Sequence, residues 1–261
     1  MFRATDIAVS LARKPILRGV SLTAQPGEVT VIVGPNGSGK TTLLKALTQE
    51  VPSTGQIALD GRDITCIPGW QLAARRAVLP QSSHIAFPFT VHEIIRLGMS
   101  ASATQPPPGR VEEALAQVGL AGFAGRFYNE LSGGEQQRVQ FARVLTQVWE
   151  PVGPDGPRWL LLDEPVSSLD IGHQLEVMQL MAGYAARGGG VIAVMHDLNL
   201  TAMYADQVML MSQGRKLAQG PPAEVLTDAR LCDAYGCALR VNATPAAPAT
   251  FLLPHTARPA G

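Results

Sequence analysis

Hydrophobic and polar residues alternate along the first part of the chain, over residues 7–21, on both sides of a turn-like Ala-Arg-Lys-Pro run. Such alternation is typical of half-buried strands, and we interpret it as two edge strands. Mostly apolar runs follow over residues 29–33, 159–162 and 191–195. Because such short runs are typical of strands buried on both faces, the pattern predicts a central sheet fed by these edge strands.

Helical spacing appears in several later segments. One helix is predicted to begin around Gly39 and to bury Leu43, Leu44 and Leu47. The run TVHEIIRLGM opens with a Ser/Thr-x-x-Glu helix start, and VEEALAQVGL and EVLTDARLCDAYG are each predicted as a helix. A further strand in VPSTGQIALDG and a hairpin in VMLMSQGRKLAQG complete a mixed α/β pattern.

The predicted helices concentrate in the middle of the chain, between two strand-rich halves. A Pro/Gly-rich loop over residues 149–158 precedes the next buried strand, and the tail from Asn242 is rich in Pro, Ala and Thr, which favours mobility. We therefore expect a domain over residues 1–241, with a core of residues 1–81 and 155–241, a helical subdomain of about 82–150, and a mobile tail over 242–261.

Composition excludes several classes of function. The 261 residues carry 21 Lys and Arg against 21 Asp and Glu, so no overall basic field attracts nucleic acid. The three cysteines, Cys66, Cys232 and Cys237, form no CxxC pair, which favours reduced thiols. The apolar runs are far shorter than the roughly 20 residues that span a bilayer, and the N-terminus lacks a signal-peptide pattern.

The run GPNGSGKT at residues 34–41 fits the phosphate-loop pattern GxxxxGK[ST], after an apolar strand and before a helix. Its glycines, Gly34, Gly37 and Gly39, let backbone N–H groups surround phosphates without obstruction by Cβ atoms. Lys40 supplies a positive charge to the outer phosphates, and Thr41 offers a hydroxyl to Mg²⁺. The sequence therefore predicts a nucleotide-binding site.

A second candidate element is WLLLDEP, in which a buried strand delivers Asp163 and Glu164 at its carboxyl end. Ligand sites of α/β sheets lie at that edge. We expect Asp163 to hold Mg²⁺ and Glu164 to act as general base for the attacking water. His196 follows another such strand, but it and Gln81 are unremarkable when taken alone.

The run LSGGEQQRV at residues 131–139 predicts a capping box, in which Ser132 caps a helix and Glu135 reaches back to the amide of Ser132. A helix start of this kind presents N–H groups to an anion. The chain thus contains two candidate anion sites, although one nucleotide needs only one phosphate cradle.

The order and spacing of these motifs, together with SSLD at residues 167–170, resemble the ATP-binding cassette ATPases of membrane transporters. The resemblance extends over about residues 7–220. It implies a P-loop NTPase (RecA-like) core with an antiparallel β subdomain and an inserted helical subdomain. It also explains the two anion sites, because in that family the signature of one subunit closes over the nucleotide that the other subunit's phosphate loop holds.

The resemblance implies a role for each matching residue. The nucleotide is ATP, and the expected binding residues are Gly34, Pro35, Asn36, Gly37, Ser38, Gly39, Lys40, Thr41 and Thr42. Ser132, Gly133, Gly134 and Glu135 form the signature that acts in trans, and Asp170 joins the two sites across the dimer. Glu164, His196 and Gln81 are the catalytic group, and Thr41, Gln81 and Asp163 are the expected Mg²⁺ ligands.

The same resemblance implies the partners and the location. They are a second copy of this chain, two integral-membrane permease subunits and a periplasmic substrate-binding protein, with no nucleic acid. The expected location is the cytoplasmic face of the bacterial inner membrane, as a peripheral protein. We expect the permease to dock on residues 82–95, where FPFTVHEII offers apolar side chains, although Phe87 and Phe89 are equally compatible with the core of the subdomain.

Two positions depart from the family pattern. Leu11 stands where an aromatic residue commonly stacks on adenine, and Val166 replaces the usual threonine after DEP.

Within the family, the chain looks most like the haemin importers, in the run RAVLPQSSHIAFPFTVHEIIRLG and in the extended 149–158 loop. Importers of ferric siderophores, vitamin B12 or metal ions are the alternatives, and neither His84 nor His92 is assigned to haem because the ATPase does not hold the cargo.

Two other classes remain as alternatives. A soluble ATPase of the same family acting on nucleic acid or ribosomes is disfavoured by the neutral charge and by the single cassette. Exporter ATPases often carry fused membrane spans, and this chain contains no apolar run long enough for one.

Overall fold

The computed structural model describes residues 1–82, 85, 87–100, 107–246 and 248–257 of the chain. Parts of the predicted helical subdomain and of the predicted tail lie outside these residues, as does His84. The strands, in chain order, are β1 (Phe2–Leu11), β2 (Lys14–Ala24), β3 (Val29–Val33), β4 (Thr54–Leu59), β5 (Arg62–Asp63), β6 (Arg76–Leu79), β7 (Val152–Gly153), β8 (Gly156–Pro157), β9 (Trp159–Asp163), β10 (Gly190–Val194), β11 (Gln207–Ser212) and β12 (Arg215–Gly220).

Two larger sheets organise these strands. The central sheet has the order β12-β11-β3-β10-β9-β6, and all of its strands are parallel to their neighbours except β12. Since the parallel strands share one direction, their carboxyl ends meet at one edge of the sheet, which is where α/β proteins bind ligands. The mixed α/β prediction is therefore confirmed.

The second sheet is antiparallel, with the order β2-β1-β4-β5. The prediction that β1 is an edge strand is wrong, because β2 pairs with it on one side and β4 on the other. Strand β2 does lie at the edge, and it contacts the central sheet: the side chain of Gln219 donates to the carbonyl of Thr23, 2.5 Å away. Alternation along a strand reports half-burial and carries no information about the number of paired neighbours.

The helices are α1 (Lys40–Leu47), α2 (Gly69–Arg75), α3 (Val91–Met99), α4 (Arg110–Gln117), α5 (Gly133–Gln147), α6 (Ile171–Ala186), α7 (Leu198–Tyr204), α8 (Pro222–Val225) and α9 (Asp228–Tyr235). The single helix predicted over residues 224–236 is wrong, because Leu226 and Thr227 separate α8 from α9. The Pro/Gly-rich loop over residues 149–158 contains the small hairpin β7–β8. None of the described helices has the length and apolar character that crossing a bilayer requires.

The inner strands β3, β9 and β10 of the central sheet are buried on both faces, and their period-2 alternation divides the core in two. Val31 and Val33 of β3 face a cluster that includes Phe141 of α5, whereas Ile32 faces a cluster shared with the antiparallel sheet and Leu43 of α1. Burial of each large apolar side chain contributes roughly 1.5–3 kcal/mol. The carboxyl edge, where the site residues lie, therefore rests on two packed layers.

The helices α3, α4 and α5 are inserted between β6 and β9, although these two strands pair directly in the sheet. α3 and α4 both pack against α5, and the guanidinium of Arg138 on α5 donates to the carbonyl of Val118, 3.1 Å away, just after α4. This arrangement agrees with an inserted helical subdomain, while its boundaries at about 82–150 and the tail over 242–261 stay predictions.

Candidate functional site

The phosphate loop connects β3 to α1 and depends on glycine at two close approaches. Gly34 has φ +151°, and a Cβ atom there would meet the carbonyl oxygen of Met211 at 2.1 Å. Gly39 has φ +99° and caps α1 with no side-chain hydrogen bond. A larger residue would require a shift of the Met211 backbone at the first position and of the Leu17 side chain at the second. The first turn of α1 therefore presents its backbone N–H groups to the loop.

Lys40 is buried at the start of α1, and its side chain turns back over the loop. Its Nζ donates to the carbonyl oxygens of Gly34 and Pro35, at 2.8 and 3.2 Å. Burial lowers the pKa of the Lys40 ammonium below its usual value, while the charges of Glu164 and Asp163 oppose that shift. The positive charge is thus held among partners that can exchange for phosphate oxygens.

The carboxyl end of β9 brings Asp163 beside the first helix. The hydroxyl of Thr41 donates to Oδ1 of Asp163 over 3.2 Å. Burial raises the pKa of Asp163, the Thr41 hydrogen bond opposes this, and the charge of Glu164 adds to it. A hydroxyl oxygen of α1 and a carboxylate oxygen of β9 are therefore adjacent, and both are potential metal ligands.

Glu164 follows Asp163 in an unusual backbone conformation, with φ +52°. Its Oε1 lies 2.5 Å from Nε2 of His196, which follows β10. The two side chains are adjacent because β9 and β10 are parallel neighbours in the sheet. The carboxylate and the imidazole form a hydrogen-bonded pair, an arrangement that can accept and hold a proton.

These elements border one cleft of roughly 740 Å³, within the usual size range of small-molecule sites. Its walls are Lys14, Ile16, Asn36, Gly37, Gly39, Lys40, Thr41, Thr42, Gln81, Glu164 and His196. Gln81, which sequence reasoning treated as unremarkable by itself, thus joins the predicted group. Of the other loop residues, Pro35 contributes its carbonyl to Lys40, and Ser38 is buried.

Lys14 and Ile16 also line the cleft, although no sequence pattern predicts them as site residues. They lie at the start of β2, which packs beside the phosphate loop: the side chain of Leu17 would be 2.7 Å from a Cβ atom at Gly39. Leu11, in contrast, is exposed and is not among the cleft residues. The lone hint in the sequence was the turn-like Ala-Arg-Lys-Pro run, which names no ligand-binding residue.

The signature residues lie outside this cleft. Ser132 caps α5, the amide and hydroxyl of Ser132 donate to Oε2 of Glu135 at 2.7 and 2.8 Å, and the amide of Glu135 donates to the Ser132 hydroxyl at 3.3 Å. These bonds, the side-chain one first, hold the pKa of Glu135 below its usual value. The predicted capping box is confirmed, and Gly133 borders a separate cavity of roughly 240 Å³ with Gln81 and Ser168.

Asp170 also lies outside the cleft. It caps α6 through the amide of His173, and its exposed carboxylate contacts Nδ1 of His173 at 2.8 Å. Hydrogen bonds from the His173 backbone, and then from its side chain, hold the pKa of Asp170 below its usual value. The residues expected to act across a dimer are thus at the surface of this chain.

The surface predicted to contact a permease divides between its two phenylalanines. Phe87 is 71% exposed, whereas Phe89 is half-buried against the core. The two rings pack edge to face, with their centroids 6.4 Å apart. Phe89 therefore belongs to the subdomain core, and Phe87 is available to a partner.

Known proteins resemble this chain closely. A family model described as ABC transporter matches residues 17–167. The hemin import ATP-binding protein HmuV of Jannaschia sp. (strain CCS1) is 62% identical over 261 residues, which cover 100% of this chain and 97% of that protein. The protein of the same name from Rhizobium meliloti (strain 1021) is 56% identical over 260 residues, covering 98% of this chain and 99% of its own.

Solved structures agree in fold. The crystal structure of a nucleotide-free ATP-binding cassette from an ABC transporter gives a TM-score of 0.76 at 25% identity, with 90% of this chain and 98% of that chain covered. A dimeric cassette in a post-hydrolysis state, bound to ADP and Pi, gives 0.73 at 24% identity, with 85% and 99% covered. The predicted fold class is therefore confirmed.

Proposed function

The chain belongs to the ABC transporter family, and from this premise we propose that it is the ATP-hydrolysing subunit of a haemin importer. The observation that carries the ATPase role is the cleft itself, in which the phosphate loop, Gln81, Glu164 and His196 face one volume. The cargo is supported by relatives of 62% and 56% identity, whose names state hemin import.

ATP binds with its phosphates in the loop. Backbone N–H groups at the start of α1 hold the phosphate oxygens, and Lys40 exchanges the carbonyls of Gly34 and Pro35 for the outer phosphates. Lys14 and Ile16 line the same cleft beside the phosphate loop, and we expect the adenine ring to lie against them. Because neither residue is aromatic, adenine is held by aliphatic contact instead of ring stacking.

The donor set fits Mg²⁺, a hard cation that prefers oxygen ligands. Thr41 and Asp163 present a hydroxyl and a carboxylate that already contact each other at 3.2 Å, and Gln81, which lines the same cleft as Thr41, would add an amide oxygen. When bound, the ion neutralises charge on the β- and γ-phosphate oxygens. Among the described residues no cluster of three His, Cys, Asp or Glu side chains offers a competing metal site.

Glu164 acts as general base in hydrolysis. Its carboxylate takes a proton as the oxygen of water bonds to the γ-phosphorus and the bond to the bridging oxygen of ADP breaks, which yields ADP and inorganic phosphate. His196 contacts the carboxylate through Nε2 at 2.5 Å, and we expect it to contact the γ-phosphate of bound ATP.

Two copies of the chain close around two nucleotides, so that Ser132, Gly133 and Gly134 of one copy complete the site of the other. Glu135 holds Ser132, and Asp170 lies at the junction between the copies. A dimeric cassette of the same fold bound to ADP and Pi supports this arrangement.

The dimer works with two permease subunits and a periplasmic substrate-binding protein, at the cytoplasmic face of the inner membrane. Phe87, which is 71% exposed, lies in the proposed permease contact.

The test is ATP-driven uptake into vesicles that hold this subunit with its co-purifying permease and binding protein, with haemin and a ferric siderophore as cargoes. We expect uptake of haemin only. Uptake of the siderophore instead would overturn the cargo and leave the ATPase role intact.

The variant Glu164→Gln tests the chemistry in the same vesicles. General base catalysis contributes about 10²–10⁴-fold, so hydrolysis and haemin uptake should fall by that factor while ATP binding persists and the closed dimer accumulates. Glu113→Gln, which changes an exposed carboxylate of α4, is the control. Hydrolysis by Glu164→Gln at the wild-type rate would contradict the role of Glu164 as base.

A further inference from the structure

Helix α5 is tied to the core of the protein at both ends by a glutamine side chain. Near its start, Nε2 of Gln137 donates to the carbonyl of Glu164 at 2.9 Å, and Oε1 of Gln137 accepts from the amide of Ser168 at 3.2 Å. At its last residue, Nε2 of Gln147 donates to the carbonyls of Ala73 and Arg76 at 2.8 and 3.0 Å. Of these two sets of hydrogen bonds, only the first involves a residue of the cleft, Glu164.

The hydrogen bond from Gln137 is made to a residue with a strained backbone, Glu164. A non-glycine residue in the left-handed region, such as Glu164 at φ +52°, persists only where the surrounding structure determines it. The amide of Glu164 donates to the carbonyl of Val194 at 3.1 Å, and its carbonyl accepts from the amide and the hydroxyl of Ser167 as well as from Gln137. The Gln137 contact, at 2.9 Å, is the shortest of the contacts to that carbonyl and comes from another part of the fold.

A second contact joins the same two segments. Gly134 lies one helical turn before Gln137, on the same face of α5. A Cβ atom at Gly134 would meet the carbonyl oxygen of Ser168 at 3.2 Å and the side chain of Leu169 at 3.5 Å. The start of α5 therefore rests directly on the turn that follows Glu164, and Gln137 is the polar group that spans the contact.

We propose that Gln137 is a positioning residue, which holds the backbone of Glu164 in register with the signature helix of the same subunit. This inference rests on the proposed function. In the dimer, the start of α5 touches the partner's nucleotide while Gln137 touches the base that acts on this chain's own nucleotide. A displacement of α5 that follows from the state of one nucleotide therefore reaches the base at the other, which couples the two hydrolysis sites.

The test compares Gln137→Ala with Gln147→Ala in the full chain bound to its permease. Both changes remove two hydrogen bonds between α5 and the core, so both should lower thermal stability by a similar amount. A misplacement of about 1 Å at a reacting group costs up to about 100-fold in rate, and we expect kcat to fall about 10- to 100-fold in Gln137→Ala alone. The affinity for ATP should stay unchanged, and the dependence of rate on ATP concentration should lose its cooperativity.

A further variant separates the two hydrogen bonds of Gln137. Gln137→Glu keeps an acceptor for the amide of Ser168 but removes the donor to Glu164, so it should be as slow as Gln137→Ala. It also serves as the test if Gln137→Ala does not fold.

Equal kcat in the Gln137 and Gln147 variants would overturn the inference and leave the proposed function intact. So would a loss in Gln137→Ala that appears entirely as weaker ATP binding. Absence of ATP hydrolysis in the wild-type complex would overturn the proposed function, and this inference with it.

Discussion

The helices α1 and α5 both start in glycine-rich turns, but they start in different ways. Gly39 gives α1 no side-chain cap, and the charged residues Lys40 and Glu164 line the cleft beside it. Ser132 gives α5 a complete capping box, in which amide, hydroxyl and carboxylate partner one another. The first helix start is open to an anion within its own chain, whereas the second has its local hydrogen bonds satisfied.

Helix α3 begins with the same capping box as α5, at residues for which no nucleotide contact is proposed. Thr90 and Glu93 repeat the bonds of Ser132 and Glu135, with distances of 2.8, 2.8 and 3.3 Å against 2.7, 2.8 and 3.3 Å. The capping geometry therefore stabilises a helix start, and the role proposed for Ser132 in trans depends on contacts beyond the box.

The largest effect that separates the two helix starts is expected from Ser132→Arg. A bulky cation at the surface of α5 should block closure of the dimer, and loss of the signature donors should lower two-site ATP hydrolysis by about 100-fold or more. ATP binding by the isolated subunit should not change, because the cleft lies elsewhere. Ser53→Arg, at another exposed serine, is the control. Full hydrolysis by Ser132→Arg, measured by phosphate release, would show that α5 does not act in trans.

A smaller effect is expected from Lys40→Ala in α1. Hydrogen bonds to charged groups contribute about 1.5–3 kcal/mol, which corresponds to ATP affinity that is roughly 10- to 100-fold weaker. Lys45→Ala, at an exposed position of the same helix, should bind normally. Equilibrium binding of a fluorescent ATP analogue distinguishes them, and equal affinities would remove Lys40 from the phosphate site.

The smallest effects are expected from removing the cap of α3 and the cap of α5. Thr90→Ala and Ser132→Ala should each lower the free energy of unfolding by about 1 kcal/mol, measured by urea denaturation, because each removes one cap. Hydrolysis should fall in Ser132→Ala only. If the two variants lose activity equally, Ser132 contributes nothing beyond its cap.

Local signals predicted most of the candidate site. The phosphate loop and the two carboxylates at the end of β9 lie in short runs in which the chemistry of each residue indicates its role. The alternation of strands and helices predicts that both runs lie at the same edge of a sheet. The box at Ser132 was equally local, since its partners are three residues apart.

Contacts between distant segments were the part that could not be predicted. The place of β1 inside its sheet depends on β4, and the approach of β2 to Gly39 brings Lys14 and Ile16 to the cleft. Gln137 looked like any polar residue of a helix, because its partners at Glu164 and Ser168 lie about 30 residues away. A single sequence records such pairings only through residue types, and glutamine is compatible with solvent.

Strand β3 carries the phosphate loop, yet both of its neighbours, β10 and β11, come from much later in the chain. A ribosome that adds about 5–20 residues per second releases β3 roughly ten to thirty seconds before Val191 is available to pair with Val29. During that interval a short β-prone segment has two open edges, which can recruit strands from other nascent chains. The nucleotide loop is therefore translated among the first motifs, but the sheet that holds it is completed among the last.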